Sequence, residues 1–111
     1  MKVLNLVLSN QAFQITGTPE KPYELREPTE WILSRIIDKN GNPKNYDVVE
    51  ICNGYSKGRE KKIFEFRGFV IAGWTEKIEF SNGLKWTIQP GHIIIKLGKE
   101  KIKDEVKEEV K

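Results

Sequence analysis

The sequence predicts an α+β, mainly β protein: a single mixed β-barrel with one helix packed at its side. Three observations lead there. The chain has 111 residues, enough for one hydrophobic core and too few for two ordinary domains. Short apolar segments, enough for six or seven strands, alternate with Gly, Pro and Asn turns and lack the strand–helix rhythm of a parallel sheet. One segment alone carries a clear helical stripe, formed by Ile32, Leu33, Ile36 and Ile37. Residues 1–98 are expected to form the barrel and residues 99–111 a charged tail.

Val3 to Leu8 opens the chain as a strand that is apolar on both faces, as expected of a strand covered on both sides. Gln11 to Thr16 reads as one helical turn ending at Gly17, and Thr18 to Pro22 as loop. Tyr23 to Arg26 is a short strand whose period of two places Tyr23 and Leu25 on one face and Glu24 and Arg26 on the other. The helix follows. Thr29 caps it, its apolar stripe faces the barrel, Trp31 and Arg35 are neighbours on its flank, and Lys39-Asn40-Gly41 ends it.

Tyr46 to Cys52 is the next strand, and Asn53 to Arg59 a polar loop with two glycines. Lys61 to Gly73 is a long strand with Phe64 and Phe66 inward and Glu65 and Arg67 outward, bent at Gly68 where the alternation changes phase. The hairpin after it shows how pattern selects register. A two-residue Asn82-Gly83 turn would set Phe80 against Lys85 and Ile78 against Thr87. A three-residue Ser81-Asn82-Gly83 loop with Gly83 left-handed sets Phe80 against Leu84 and Ile78 against Trp86, keeping one face apolar, and is the expected arrangement. Pro90-Gly91 makes another tight turn, and His92 to Leu97 a last strand with Ile93, Ile95 and Leu97 inward. Beyond Gly98, Ile102, Val106 and Val110 recur every four residues, the spacing of a thin amphipathic helix.

Composition narrows the classes of function. The longest apolar runs, such as Phe69 to Ala72, are far shorter than the roughly 18 residues of a spanning helix, so no membrane partner is expected. A single cysteine, Cys52, rules out an internal disulfide, and a cytoplasmic location is expected by default. Net charge is +3; residues 99–111 hold five lysines and five acids, so the whole excess sits on the barrel. That permits a polyanionic partner without requiring one. No metal-ligand spacing, phosphate-binding glycine loop or nucleophile elbow occurs, and no cofactor is implied.

Lys21, Glu24 and Arg26 are the leading candidates for chemistry, because three charges fall within six residues at the start of a strand. Strand periodicity aims Glu24 and Arg26 the same way, and Lys21, in the loop before them, can reach over the same face. Lining a cleft, the cations would hold a phosphate or base carbonyl while Glu24 orients them; otherwise the group is an ordinary surface ion pair worth about 0–1 kcal/mol.

Ile15-Thr16-Gly17 followed by Lys21-Pro22-Tyr23-Glu24-Leu25-Arg26 resembles the signature of ASCH domains, in which Gly, Lys, Glu and Arg recur as G-x-K-x-x-E-x-R. Lys21, Glu24 and Arg26 match in register, whereas Gly17 lies four residues before the lysine instead of two. Looser similarity runs through Tyr46-Asp47-Val48-Val49 and Pro90-Gly91-His92-Ile93-Ile94. The resemblance implies a PUA-like barrel that binds RNA or a nucleotide-like ligand in a charged cleft beside the barrel. Some small members hydrolyse N4-acetylcytidine with a Lys, a Thr and a Glu. The corresponding amidohydrolase here would use Lys21 as base, Glu24 or Glu65 as its partner and a water as nucleophile, with Glu24 standing where the family's Thr would be.

Asn53-Gly54-Tyr55 forms a second candidate: an amide to read a base edge, a glycine that admits a ligand to the backbone, and a ring to stack on. Lys57, Arg59, Lys61 and Lys62 follow as possible phosphate contacts, and Trp31 and Trp74 as stacking platforms, while Trp86 is expected in the core. His92, the sole histidine, has no partner assignable from sequence. Three functions therefore compete: a module binding RNA or a modified nucleotide through Lys21, Glu24, Arg26, Asn53, Tyr55 and Trp31, a small hydrolase of a modified nucleoside, and a protein-docking domain.

Overall fold

A computed structural model describes residues 1–102. Seven strands and two helices run in the order β1 (Val3–Leu8), α1 (Asn10–Ile15), β2 (Tyr23–Arg26), α2 (Glu30–Ile36), β3 (Val48–Asn53), β4 (Lys61–Ile71), β5 (Glu76–Glu79), β6 (Lys85–Ile88) and β7 (Ile93–Lys101). Five strands form one curled half-barrel sheet in the order β1-β3-β4-β7-β2. Within it β1 runs parallel to β3 and every other pairing is antiparallel, so the sheet is mixed and the protein is α+β and mainly β. β5 and β6 form a separate hairpin.

The concave face is filled by Leu4, Leu6 and Leu8 of β1, Val49 and Ile51 of β3, Phe64 of β4 and Ile93, Ile95 and Leu97 of β7, with Phe13 of α1 and Ile32 and Ile36 of α2 plugging it. Thr29 caps α2 as its sequence predicts, its hydroxyl accepting from the Ile32 amide at 3.3 Å. The helix ends at Ile36, before Lys39-Asn40-Gly41, because Ile37 turns extended and joins a short bridge to Pro43. The expected helical turn before Gly17 is a second helix: Ser9 caps it, and the buried side chains of Phe13 and Ile15 anchor it.

β1 departs from its expected burial. Leu4, Leu6 and Leu8 are buried while Val3 and Asn5 are exposed, because β1 is an edge strand covered on one face only. β4 bends as its glycine suggests, with register shifts between Phe64 and Phe66 and between Phe66 and Phe69. The hairpin takes the three-residue loop: Ile78 pairs with Trp86, the Phe80 amide donates to the Leu84 carbonyl at 2.8 Å, and Gly83 sits at φ +88°. β7 runs past the expected boundary at residue 98, Glu100 and Lys101 still pairing with Phe64 and Ile63. Of the tail, Val106 and Val110 lie outside the described residues. Among the described residues no helix is long and apolar enough to cross a membrane.

Candidate functional site

The edges of the half-barrel, β1 and β2, are not joined by a ladder. A side chain spans them instead: Arg26 Nη2 donates to the Val7 carbonyl at 2.9 Å. Arg26 Nε donates to Glu24 Oε2 at 2.8 Å, and the other carboxylate oxygen of Glu24 accepts from Lys21 Nζ at 3.1 Å. The three candidate charges therefore form one continuous chain in which Glu24 bridges two cations.

The loop before β2 explains how Lys21 gets there. From Thr16 to Lys21 the backbone folds tightly, with Gly17 N–H donating to the Lys21 carbonyl at 2.8 Å and Lys21 N–H to the Thr18 carbonyl at 3.0 Å. Gly17 holds φ +91°, and a Cβ there would lie 2.1 Å from Phe64 Cζ, so the ring packs directly against the bare backbone. This geometry places Thr16, wholly buried, so that its hydroxyl accepts from Lys21 Nζ at 2.5 Å. Thr16 is a member of the cluster that sequence spacing did not single out. The signal was its place beside Gly17, five residues before Lys21, but only the tight loop brings the two side chains together.

The hairpin covers the cluster. The Phe80 ring centroid lies 5.9 Å from Lys21 Nζ, while Ser81 N–H and Oγ–H donate to the two oxygens of the Glu20 carboxylate at 2.7 and 2.6 Å. Asn82 Nδ2 donates to the Gln11 carbonyl, and Gln11 Nε2 returns a bond to the Asn82 carbonyl. The open cleft expected around the trio is therefore closed over two of its members: Lys21 is 2% exposed and Glu24 5%, leaving the Arg26 side chain, at 23%, as the one that meets solvent. Burial lowers the Lys21 pKa below 10.5 through desolvation, an effect that Glu24 opposes by its charge and hydrogen bond and Arg26 reinforces by repulsion.

The other candidates are distributed around this core. Gly54 N–H donates to the Leu8 carbonyl at 2.9 Å, one residue beyond the Arg26 contact on β1, so the Asn53-Gly54 corner and Arg26 meet the same end of β1. The Asn53 amide is committed to structure: its Nδ2 donates to Asn10 Oδ1 at 2.8 Å and faces Glu60 at 3.4 Å, tying the loop to α1. Tyr55 stands 85% exposed beside that corner. Trp31 is exposed on α2, and the Arg35 guanidinium lies 4.8 Å above its ring. Trp74 is also exposed and donates to Glu76 at 3.0 Å.

Trp86 corrects an expectation. It is half-buried, stands edge-on to His92 with centroids 5.8 Å apart, and lines a hollow of about 410 Å³ with Glu27, Lys85, Thr87, Gln89 and His92. The cause is that β6 belongs to a two-stranded hairpin with one face against the sheet, which leaves its ring at a margin rather than in a closed core. His92 Nδ1 accepts from the Gln89 amide at 3.2 Å, which places the proton of a neutral ring on Nε2. Among the described residues no group of three or more His, Cys, Asp or Glu side chains is placed to hold a metal ion.

Fold and site together define a class: a mainly β half-barrel whose open seam is spanned by a cation–carboxylate–cation chain buried at Lys21 and Glu24 and half-buried at Arg26. Compared with protein-family models, with curated proteins and with solved structures, the chain finds no match in any of the three.

Proposed function

We propose that this chain is a binding module of the ASCH-like, PUA-like kind that holds RNA or a modified nucleotide at the seam between β1 and β2, with Arg26 as the cation that meets the ligand. The observation that carries the reading is the bridging role of Glu24. One carboxylate between two cations leaves a net positive charge on the cluster, and the exposed member of the chain is the arginine. Its guanidinium is fixed at both ends, on Glu24 and on Val7, while three of its five N–H groups have no described partner. A rigid, half-buried fork of this kind suits phosphate or the acceptor edge of a base. The exposed Tyr55 ring, beside the Asn53-Gly54 corner at the same end of β1, supplies a stacking face worth about 1–3 kcal/mol per base.

Short single-stranded RNA titrated at two salt concentrations tests this. The expected log–log slope is about −0.7 per phosphate contacted, and Arg26→Gln weakens binding about tenfold while thermal unfolding confirms that the variant is folded. Lys21 is the wrong residue for this experiment, since it lies buried beneath Phe80, out of reach of a ligand at the seam. Binding that ignores both salt and Arg26→Gln would remove the reading.

A second reading, a small amidohydrolase acting on a modified nucleoside such as N4-acetylcytidine, is favoured by one observation. The hydroxyl that Glu24 cannot supply stands on Thr16, 2.5 Å from a lysine whose burial favours its neutral, proton-accepting form. Substrate reaches it only if the hairpin tip lifts off Glu20 and Gln11. The expected result is turnover of N4-acetylcytidine that Thr16→Val abolishes; no turnover at high protein concentration, followed by chromatography, retires it.

A further inference from the structure

The loop between β3 and β4, residues 54–60, carries a cluster of charge that the seam does not use. Lys57, Gly58, Arg59 and Lys61 line a hollow of about 490 Å³, with three cations and no carboxylate on its wall. Arg59 Nε is withdrawn from solvent yet has no hydrogen-bond acceptor among the described residues. A charged donor left in that condition is costly, and native proteins rarely tolerate one unless something external supplies the acceptor. The neighbouring acid is engaged elsewhere, Glu60 facing Asn53 Nδ2 at 3.4 Å. Lys62, grouped with these cations by sequence, is turned away: it donates to the Phe13 carbonyl at 3.1 Å, and its ammonium lies 4.6 Å from the Phe13 ring centroid. The ends of the loop are held, with Asn53 N–H donating to the Glu60 carbonyl at 2.9 Å and Lys61 paired with Cys52, so the cations sit on a fixed frame.

We propose that Lys57, Arg59 and Lys61 form a phosphate-binding site distinct from the Arg26 seam. The chemistry favours phosphate over a carboxylate. A tetrahedral dianion offers enough acceptor oxygens to take Arg59 Nε and two ammonium groups at once, and enough charge to offset the mutual repulsion of three cations. The hollow is also roomier than a carboxylate needs. The site stands on its own geometry; it rests on the nucleotide reading only for the molecule that brings the phosphate.

The test is titration of the whole chain with inorganic phosphate at constant ionic strength, followed in ¹H–¹⁵N spectra against a chloride control. Saturable shifts are expected at the Gly58 and Arg59 amides and at Arg59 Nε–H, absent with chloride, and Arg59→Gln raises the apparent Kd about tenfold or more. Absence of saturation, the same shifts with chloride, or an unchanged Kd in Arg59→Gln each overturns the site. Two further probes separate the readings. Arg26 does not line this hollow, so trinucleotide binding that Arg26→Gln leaves unchanged sinks the nucleotide reading without touching this site. A trinucleotide that binds more tightly than inorganic phosphate and loses that gain in Arg59→Gln assigns the site to a nucleic-acid backbone, and one whose gain survives Arg59→Gln, or that binds no better, assigns it to free phosphate.

Discussion

Replacing Glu24 with glutamine is expected to destabilise the protein by about 3 kcal/mol near neutral pH, whereas Lys21→Met costs about 1 kcal/mol or less. The asymmetry follows from the chain of charges. Glu24 is the one anion between two cations, so its loss leaves a buried ammonium facing a guanidinium with nothing between them. Loss of Lys21 removes a desolvated charge and still leaves Glu24 paired with Arg26 at 2.8 Å. The figure lies at the low end for a broken buried pair because Lys21 can shed its proton. The pH dependence follows the same sign. Lys21 is lowered in the folded state, and without Glu24 it falls further, so the variant gains on the wild type as pH rises toward 10.5 and neutral lysine no longer needs an anion. Urea unfolding at two pH values measures both effects; a Lys21→Met variant less stable than Glu24→Gln would contradict the electrostatic account.

Gly17→Ala is expected to cost about 3 kcal/mol or more, from two independent sources. Its φ of +91° is strained for any side chain, and the new Cβ would lie 2.1, 2.5 and 2.9 Å from three atoms of the Phe64 ring. Phe64 cannot yield, being 1% exposed and packed in the main core. Shortening that ring should relieve the overlap but not the backbone strain, so Gly17→Ala with Phe64→Leu should cost less than the sum of the single changes. Strict additivity in the double-mutant cycle would show that the ring and the glycine do not meet. The position matters beyond stability, since the turn at Gly17 is what sets Thr16 and Lys21 side by side.

Much of the architecture was legible because it depends on short-range patterns. The cap at Thr29, the register of the 78–88 hairpin, the bend in β4 and the inward set Ile93, Ile95 and Leu97 each follow from side-chain periodicity and local turn chemistry. Burial failed where it depended on a strand's neighbours. β1 is apolar enough for two covered faces, but its edge position leaves Val3 in solvent, and Trp86 sits at the margin of a small hairpin. The candidate site divides along the same line: periodicity of two set Glu24 and Arg26 on one face, and the loop returned Lys21 to them.

The sequence by itself determined the fold class, the apolar face of most elements and the grouping of Lys21, Glu24 and Arg26, because helix and strand periods convert residue order directly into side-chain direction. Tertiary structure alone decided that Arg26 spans two edge strands, that Thr16 joins the cluster and that Phe80 closes over Lys21. Those contacts join residues 19, 5 and 59 positions apart, respectively. No helix or strand period specifies such separations: the first and last arise when burial of one shared core curls the sheet and lays the hairpin across it, and the middle one when the turn at Gly17 packs against Phe64.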